Sequence, residues 1–398
     1  MAASKLVSLG GNVDFLIGLV YVLYAAGVLS LCWSFIASAR LVRNQRTMPP
    51  VALDSQDWPS LDIVVPVKDE EVNITACLES VLAQDHPNAT VIVVNDRSSD
   101  GTVPAIQAIQ ERHPEVRRVD IAELPAGLYG KPHAIHTIAG ELKADYVAFV
   151  DSDLLLEPAC LRTLVHHLSS NGYDWVAVMG APEIHRFWER LVVPLFGAVI
   201  FAWYDPRKIS DPKWPNAIGS GLMVCRRDAY EAIGGHKAVI DVYDEDSELI
   251  RIAKRAGQKI SFMLTPELFT QRHYGTLANT IRGMTRTFVG GIKTIGRLLF
   301  TAGSLEFISL WPIGLLVLLG IARWCGVALL WERWWWATAA VHLVASTALA
   351  WLIYHTAGQK RRFSLLHPLG AIILIYTCFR AMRHLQRKEA IAWRGTRY

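Results

Sequence analysis

The sequence Ala148-Phe149-Val150-Asp151-Ser152-Asp153 joins an apolar strand to a pair of carboxylates. Residues 145–150 are mostly apolar, as expected of a parallel strand that is buried on both faces. Ligands of open α/β sheets bind beyond the carboxyl ends of the strands, which is where Asp151 and Asp153 lie. Two hard oxygen ligands there can hold Mg²⁺ or Mn²⁺ and leave positions for phosphate oxygens and water. The alternative is a solvated turn that caps the next helix.

Predicted strands and helices alternate on both sides of this stretch. Short apolar runs are followed by turn residues and then by segments with helical periodicity. Strands that alternate with helices in this way favour a parallel, doubly wound α/β sheet. The predicted strands are 61–67, 91–94, 145–150 and 175–180, and the predicted helices are 73–83, 103–113, 157–169 and 243–256.

Two further polar residues follow predicted strands or precede predicted helices. Asp96 comes directly after the second strand and can accept hydrogen bonds from a nucleotide base or ribose, although the turn chemistry of residues 98–101 also explains this segment. Lys131 precedes a predicted helix. It is either an exposed loop lysine or a point charge that binds a diphosphate.

Acidic residues are concentrated where another helix is predicted to begin. Four acids lie within residues 244–248. Carboxylates in a first helical turn are favoured by the helix dipole, but four exceed what a cap needs, and one of them is a candidate general base. Just upstream, Gly219 and Gly221 flank Ser220, and these glycines would allow a substrate to approach the backbone closely.

The composition indicates a protein with membrane segments. The chain has 398 residues, of which 52% are hydrophobic, and its formal charge is only +4. No basic patch with interleaved aromatic residues is present, so a nucleic-acid partner is not expected. The six cysteines are scattered without zinc-ligand or redox-motif spacing, which favours buried thiols in a reducing compartment.

Apolar segments at both ends of the chain are candidates for membrane spans. Residues 15–37 have the length of a retained anchor, and the arginines that follow indicate that this end is cytoplasmic. Residues 307–330 and 335–354 are two further candidates. The stretch 365–379 is short for a span, and it either crosses or is re-entrant. We expect a crossing, because the run can extend into flanking residues.

Basic residues lie between the predicted sheet and the C-terminal apolar segments. Their spacing is typical of basic amphipathic helices that touch anionic lipid headgroups. Arg272, Arg282 or Arg286 could instead reach a leaving diphosphate. The basic residues in question are Arg272, Arg282, Arg286, Lys293 and Arg297.

Five of these motifs together carry a resemblance. From Leu61 to about Arg286 the chain resembles family 2 glycosyltransferases of the GT-A fold, and its flanking apolar segments resemble the membrane-bound members that glycosylate lipids. Residues 392–398 are similar to the tail of a subgroup associated with carotenoid and hopanoid glycosylation. The matching pieces are Val65-Pro66-Val67-Lys68-Asp69-Glu70, residues 94–102, Gly130-Lys131-Pro132-His133-Ala134, Asp151-Ser152-Asp153 and Glu245-Asp246.

The resemblance implies a role for each matching position. Asp151 and Asp153 would bind the donor diphosphate through Mg²⁺ or Mn²⁺, and Asp246 would be the catalytic base with Glu245 beside it. UDP-sugar is the donor that the family uses most. The resemblance implies that the residues in contact with the nucleotide-sugar are Pro66, Glu70, Asp96, Lys131, Asp151 and Arg272. It also implies an acceptor site bordered by Gly219, Ser220 and Gly221.

One motif departs from the processive members of the family, which carry Gln-X-X-Arg-Trp after the base. The comparable segments here read Gln271-Arg272-His273-Tyr274 and Arg282-Gly283-Met284-Thr285-Arg286. Neither matches, which argues against a polysaccharide synthase and for the transfer of a single sugar. The arginine that would contact the diphosphate is therefore unassigned.

We therefore expect an α/β GT-A domain at residues 60–290 between an N-terminal anchor at 1–47 and a C-terminal membrane region at 291–398. The expected protein is integral to the cell inner membrane, with a cytoplasmic catalytic domain. Its expected reaction is inverting, metal-dependent transfer of a sugar from a nucleotide-sugar to a hydroxyl of a membrane lipid. The alternatives are a polyprenyl-phosphate sugar synthase and a non-catalytic scaffold or transporter with a nucleotide-binding domain.

Overall fold

A computed structural model of the chain describes residues 17–33, 48, 50, 58–272, 275–327, 331–387, 392–393 and 396–397. The chain divides into two compact units. The helical unit takes its described residues from Met1–Gln45, Arg186–Val199 and Thr294–Arg383. The sheet unit takes its described residues from Arg46–His185, Ile200–Lys293 and His384–Tyr398.

The sheet unit is built on a seven-stranded sheet with the strand order β3-β2-β1-β4-β8-β6-β9. A second sheet has the order β5-β10-β7, and β11 pairs with β12. The strands are β1 Leu61–Val67, β2 Ala89–Asp96, β3 Arg117–Ile121, β4 Tyr146–Val150, β5 Leu154–Leu156, β6 Trp175–Met179, β7 Ala181–Glu183, β8 Leu222–Arg226, β9 Ile260–Leu264, β10 Phe269–Arg272, β11 Ala392–Trp393 and β12 Thr396–Arg397.

The α-helices of the sheet unit connect and cover these strands, and α6 contributes residues to both units. The α-helices are α1 Ile17–Trp33, α2 Ile74–Leu82, α3 Thr102–Arg112, α4 Gly130–Ile138, α5 Cys160–Asn171, α6 Phe187–Trp203, α7 Pro206–Ile209, α8 Arg227–Ala232, α9 Glu245–Arg255, α10 Leu277–Thr287, α11 Ile295–Ser309, α12 Trp311–Trp324, α13 Glu332–Thr356 and α14 His367–Arg387.

The expectation of a mostly parallel sheet is confirmed, with one exception. Strand β8 is antiparallel to both of its neighbours, β4 and β6, whereas the other neighbouring pairs of the large sheet are parallel. All seven residues of β1 are buried, as expected for a strand covered on both faces. Pro66 fits within β1 because the pairing of β1 with β4 ends at Val64.

The parallel strands bring the polar residues of the sheet unit to one edge. Strands β1, β2 and β4 are parallel neighbours, so their carboxyl ends at Val67, Asp96 and Val150 point to the same side. The backbone N–H of Asp151 donates to the carbonyl of Gly221 over 2.8 Å, which fixes the start of β8 beside the end of β4. This edge is where ligands of such sheets bind.

The helical unit contains helices of membrane-spanning length and composition. Glu332–Thr356 has 25 residues, the segment Arg361–Arg387 has 27, and both have a mean hydropathy of 1.5. The apolar stretch 365–379 therefore lies within a longer helical segment, which extends the apolar run at both ends to a length that could cross a membrane. The described part of the N-terminal segment is the shorter apolar helix α1. Tyr24 of α1 bonds to His342 Nδ1 of α13 over 3.0 Å.

The described part of the predicted span 307–330, residues 307–327, does not form the single straight helix that its hydropathy predicts. Helix α11 ends at Ser309, α12 begins at Trp311, and the two are bent by 52°. Pro312 has no amide hydrogen and restricts the residue before it, so the hydrogen-bond ladder of α11 cannot continue through this point. The pair is either a broken span or a re-entrant segment.

Candidate active site

Lys131 lies at the centre of a cluster of carboxylates. Its ammonium nitrogen is 2.8 Å from Asp151 Oδ1, 2.9 Å from Glu245 Oε1 and 3.1 Å from Asp246 Oδ2. About a quarter of the Lys131 and Asp246 side chains remains exposed, at 28% and 22%. The structure therefore brings together four of the residues that the sequence singled out, although Asp151 and Asp246 are far apart along the chain.

Each member of this cluster is held by the end of an element. Lys131 is the second residue of α4, Asp151 follows the last residue of β4, and Glu245 and Asp246 open α9. The first turn of a helix favours negative charge, which stabilises the two acids of α9. The four side chains thus converge from a strand end and two helix starts, so their geometry depends on the packing of the sheet unit.

Gly219 and Gly221 make room for the two aspartates. A Cβ atom at Gly219 would overlap the backbone carbon of Asp246, and one at Gly221 would come within 2.7 Å of Asp151 Oδ2. Ser220 donates its hydroxyl hydrogen to the carbonyl of Leu222 over 2.6 Å. The close approach that these glycines allow is therefore to the acidic residues. Their role at the border of an acceptor site stays a prediction.

Asp153 belongs to a second acidic group beside the first. Its Oδ1 atom is buried and has no hydrogen-bond partner among the residues that the structure describes. Burial, with the carboxylates of Asp151 and Glu70 nearby, raises the pKa of Asp153 to about 7. Glu70 is itself buried and accepts a hydrogen bond from Asn73 over 2.8 Å. An orphaned buried oxygen among several carboxylates is a position that a cation would stabilise.

The charges of the two acidic groups do not balance. Burial and the neighbouring Glu245 raise the pKa of Asp246 well above its ordinary value. Burial alone would lower the pKa of Lys131, but its three carboxylate neighbours raise it well above the ordinary value, so the lysine stays charged. Within the described residues, the Lys131 ammonium lies near more carboxyl groups than it can neutralise, namely Asp151, Asp153, Glu245 and Asp246.

The residues present fit a divalent ion that is completed by a ligand. In the part of the chain that the structure describes, no group of three or more His, Cys, Asp or Glu side chains could by itself hold a metal ion. Mg²⁺ is commonly held by one or two carboxylates, with substrate phosphates and water completing the octahedron. Asp151 and Asp153, the latter with its unpartnered oxygen, suit this arrangement.

The side chain of Asp96 is engaged by the neighbouring residue Arg97. Arg97 Nε and Nη2 donate to Asp96 Oδ1 and Oδ2 over 2.7 and 3.1 Å. Lys68 donates to the carbonyl oxygens of Asp96 and Arg97 over 3.1 and 3.2 Å. Arg97 has φ of 54° and Asp69 has φ of 49°, so the backbone is held in a sparsely populated region just beyond β2 and just beyond β1.

Arg272 reaches the second acidic group through its backbone and other acceptors through its side chain. Its N–H donates to the carbonyl of Asp153 over 2.9 Å. The guanidinium donates to Glu183 over 3.3 Å and to Asn73 over 3.4 Å. The predicted contact of this guanidinium with a nucleotide-sugar stays a prediction. Pro66 lies in the buried run of β1, opposite Val94.

Several residues that shape the site were not predicted from the sequence. Glu183 lies beside Arg272 because β7 and β10 pair, which no local pattern indicates. Gln271 donates a hydrogen bond to Asp153. His236 is fully buried, and its Nδ1 lies 2.9 Å from the hydroxyl of Tyr230. Only the run of glycines at 234–235 marks this last segment in the sequence.

Comparison with known proteins identifies relatives of the sheet unit. Residues 62–234 match the family model described as Glycosyl transferase family 2. The 4,4'-diaponeurosporenoate glycosyltransferases of Staphylococcus aureus strains bovine RF122 / ET3-1 and USA300 are 27% identical over 210 and 211 residues, or 51% of this chain and 53% of each relative. The chain thus spans about half the length of the curated relatives it matches.

A solved structure shares the fold over a greater length. The mannosyltransferase PcManGT from Pyrobaculum calidifontis, in complex with GDP-Man and Mn²⁺, matches with a TM-score of 0.54. The match covers 92% of this chain and 98% of that chain at 19% sequence identity. This likeness shows the fold that the two chains have in common.

Proposed function

We propose that this protein transfers a single sugar from a nucleotide-sugar to a hydroxyl group of a membrane lipid, since residues 62–234 match the family model described as Glycosyl transferase family 2. The observation that supports the proposal best is the convergence of Asp151, Glu245 and Asp246 on Lys131. That cluster combines a candidate metal ligand, a candidate base and a phosphate-binding cation at the ligand-binding edge of the sheet.

Donor binding is assigned to both acidic groups and to Lys131. Asp151 and Asp153 would hold a divalent ion, which would supply Lewis-acid neutralisation of a departing nucleoside diphosphate. Lys131 can turn from Asp151 toward the diphosphate and add a point charge where negative charge develops. Asp96, with Arg97, is the candidate contact for the nucleotide base, since it lies at the same edge of the sheet.

Acceptor activation is assigned to Asp246. A carboxylate with a raised pKa is a stronger base, and a general base works best when its pKa approaches the working pH. Asp246 would take the proton from the acceptor hydroxyl as that oxygen attacks the anomeric carbon in line with the leaving diphosphate. A single displacement of this kind inverts the configuration at the anomeric carbon. Glu245 contacts the same Lys131 ammonium as Asp246, and its charge raises the pKa of Asp246.

The helical unit supports a lipid acceptor. Its helices α13 and α14 have the length and composition of membrane spans, and a lipid hydroxyl lies at headgroup level, where a cytoplasmic domain can meet it. The staphylococcal relatives are named for an apolar acceptor, a carotenoid acid, which agrees with a membrane lipid as the acceptor class. Placement in the cell inner membrane belongs to this proposal.

The donor is tested with several nucleotides. UDP-sugars are expected from the family resemblance, and the Pyrobaculum protein was solved with GDP-Man. The protein is purified in detergent, and nucleoside diphosphate release is followed with each of several UDP- and GDP-sugars. Each donor is tested with Mg²⁺, with Mn²⁺ and with a chelator, and with or without a membrane-lipid extract. The proposal expects release that needs both the metal and the lipid.

Variants test the assignment of the base. We expect Asp246→Asn to lower the turnover rate at least about 100-fold and to leave donor binding intact, because general-base catalysis contributes roughly 10²–10⁴-fold. Asp241→Asn, which changes an exposed acid in the segment before α9, is the matched control and should retain activity. Lipid-independent release in every assay would contradict the lipid acceptor.

Survival of turnover in Asp246→Asn would favour an acceptor that needs no base. A polyprenyl phosphate is such an acceptor, and so is a carboxylate like that in the name of the staphylococcal relatives. Binding of nucleotide-sugars without turnover of any donor would favour a scaffold or a transporter. The few ionisable residues within α13, which include Glu332, Arg333, His342 and His355, give little support to a polar transport path.

A further inference from the structure

Four cations lie together where α13 ends and the next helical segment begins. The guanidinium of Arg361 lies 4.8 Å from the ring centre of Trp351. Those of Arg190 and Arg362 lie 5.5 and 5.6 Å from the ring centre of Phe363. Lys360 precedes Arg361 and is exposed. We call Arg190, Lys360, Arg361 and Arg362 the basic cluster. Its members all belong to the helical unit.

No carboxylate neutralises this cluster within the described residues. None of its four members takes part in an ion pair there, whereas many other arginines of the chain do. The nearest acid in sequence, Glu189, is buried and accepts the backbone N–H of Arg186 over 2.8 Å. Three guanidinium groups that lie over aromatic rings are held in place and retain N–H donors for an anion.

The surface around the basic cluster is apolar. Phe187 is 53% exposed and Leu365 is 69% exposed, and Trp351 and Leu369 are also exposed. The ring of Phe187 packs edge-on against that of Phe363, with centroids 6.2 Å apart. Exposed aromatic and aliphatic side chains mixed with arginines are typical of the boundary between a bilayer and water.

The other end of α13 has a different character. There Arg323 pairs with Glu332 over 3.4 Å, and Arg333 lies 5.6 Å from the ring centre of Trp334. Several exposed tryptophans surround these residues, among them Trp324 at 88% exposure. The helix has 25 residues and is therefore about 37 Å long, enough to cross a hydrocarbon core. One end thus carries unneutralised positive charge, and the other is nearly balanced and rich in tryptophan.

We propose that the basic cluster binds the phosphate group of an anionic lipid. A guanidinium group can donate two parallel hydrogen bonds to the oxygens of a phosphate. The aromatic rings beneath Arg190, Arg361 and Arg362 preorganise their guanidinium groups for binding. The exposed apolar side chains beside the cluster would contact the acyl chains. The inference rests on the membrane placement under the proposed function, but it is independent of the sugar transfer and of every residue assigned to it.

Titration of the purified, delipidated full chain tests the site. The protein, in an uncharged detergent, is titrated calorimetrically with dioctanoyl phosphatidylglycerol, dioctanoyl phosphatidylcholine and inorganic phosphate. We expect saturable binding of phosphatidylglycerol, at least tenfold weaker binding of phosphatidylcholine, and no measurable binding of inorganic phosphate. Inorganic phosphate that binds as tightly as phosphatidylglycerol would overturn a lipid ligand in favour of a free anion.

Charge-neutralising variants locate the site. The double variant Arg361→Gln with Arg362→Gln should bind phosphatidylglycerol at least tenfold more weakly. Arg333→Gln removes one charge, from an arginine that also lies over a tryptophan ring, at the other end of α13 and should bind normally. Arg361→Lys with Arg362→Lys should give an intermediate loss, because lysine keeps the charge without the fork.

An equal loss in Arg333→Gln and in the double variant would overturn the assignment, as would normal binding by the double variant. Thermal unfolding midpoints and metal-dependent nucleotide binding, measured on the same samples, show that each variant is folded. Because these readouts do not involve turnover, failure of the sugar-transfer proposal would leave the result of the titration unaffected.

Discussion

The ammonium nitrogen of Lys131 lies 3.1 Å from both carboxylate oxygens of Asp246. It also lies 2.8 Å from Asp151 Oδ1, so the candidate base and a candidate metal ligand share one cation. A divalent ion held by Asp151 would compete with this ammonium for the Asp151 carboxylate. A bound donor diphosphate would offer Lys131 another partner. If the ammonium moved from Asp246 to the diphosphate, Asp246 would be free to accept a proton. In this arrangement, donor binding prepares the base.

Lys131→Met separates the two roles of the lysine. Without the ammonium, Asp151 is free, so Mn²⁺ binding in the absence of nucleotide should become tighter. Nucleoside diphosphate binding in the presence of Mn²⁺ should weaken by about 10- to 100-fold, since a charge-assisted hydrogen bond contributes about 1.5–3 kcal/mol. Free Mn²⁺ can be measured by electron paramagnetic resonance and nucleotide binding by calorimetry.

Lys143→Met is the control for Lys131→Met, because it removes an exposed lysine from the same unit. Both affinities should match those of the unchanged protein. A Lys131→Met variant that binds Mn²⁺ alone less tightly would contradict the competition between the ammonium and the metal.

The glycines beside the acids predict two different failures. A methyl group at Gly221 meets the end of the Asp151 side chain, which can move, whereas one at Gly219 meets the backbone of Asp246. Gly221→Ala should therefore keep the fold and weaken Mn²⁺-dependent nucleotide binding. Gly219→Ala should also lower the free energy of unfolding by about 1–3 kcal/mol, the usual cost of overpacking.

Gly140→Ala controls for the added methyl group, because a Cβ there meets no atom within 4 Å. Thermal unfolding and nucleotide titration of the three variants distinguish the outcomes. Equal nucleotide affinity in Gly221→Ala and Gly140→Ala would mean that the position of Asp151 does not matter for the donor.

The features that the sequence predicted are those that depend on local pattern. An apolar run that ends in two carboxylates locates Asp151 and Asp153 at a strand end whatever the rest of the chain does. The acids that open α9 are likewise recognisable from the helix start. Distances between these segments were not predictable, because they arise from the order of parallel strands and from the packing of α4 and α9.

Features set by distant partners or by single residues within apolar runs were missed. The antiparallel direction of β8 and the pairing of Glu183 with Arg272 depend on strand neighbours that hydropathy does not specify. The break between α11 and α12 was missed because residues 307–330 are mostly apolar, and hydropathy does not register that Pro312 interrupts the helical hydrogen-bond ladder. The contacts of Gly219 and Gly221 with the two aspartates were not predicted, because they join segments that are distant in sequence; the approach of a substrate to these glycines stays a prediction.

Arg97 predicts a preference among nucleotide bases. The arginine engages both oxygens of Asp96, so the pair presents donors as well as acceptors to a base. Uracil offers one N–H between two carbonyls and suits such a mixed edge, whereas guanine offers adjacent N–H donors that suit a free carboxylate. Arg97→Asn, in which asparagine tolerates the positive φ, should shift the ratio of GDP to UDP affinity toward GDP by about tenfold or more.

Competition of unlabelled GDP and UDP with a fluorescent nucleotide measures this ratio. Arg118→Asn should leave the ratio unchanged, because Arg118 pairs with Asp120 of its own strand β3, which lies next to β2. A ratio that is the same in Arg97→Asn and in the original protein would mean that Asp96 does not read the base.

His236 predicts a dependence of stability on pH. Burial, with the positive charge of Lys131 nearby, lowers the pKa of His236 to about 3, whereas an unfolded histidine has a pKa of about 6.5. Between pH 3 and pH 6.5, His236 is therefore protonated in the unfolded state and neutral in the folded state. The stabilisation is complete above pH 6.5 and is lost progressively as the pH falls toward 3, by about 2 kcal/mol at pH 5.

His236→Phe cannot lose this contribution, so its thermal unfolding midpoint should fall less between pH 7.5 and pH 5 than that of the unchanged protein. His113→Phe, which alters an exposed histidine beside Glu115, serves as the control and should follow the unchanged protein. Parallel curves for His236→Phe and the unchanged protein would show that His236 is protonated in the folded state or titrates equally in both states.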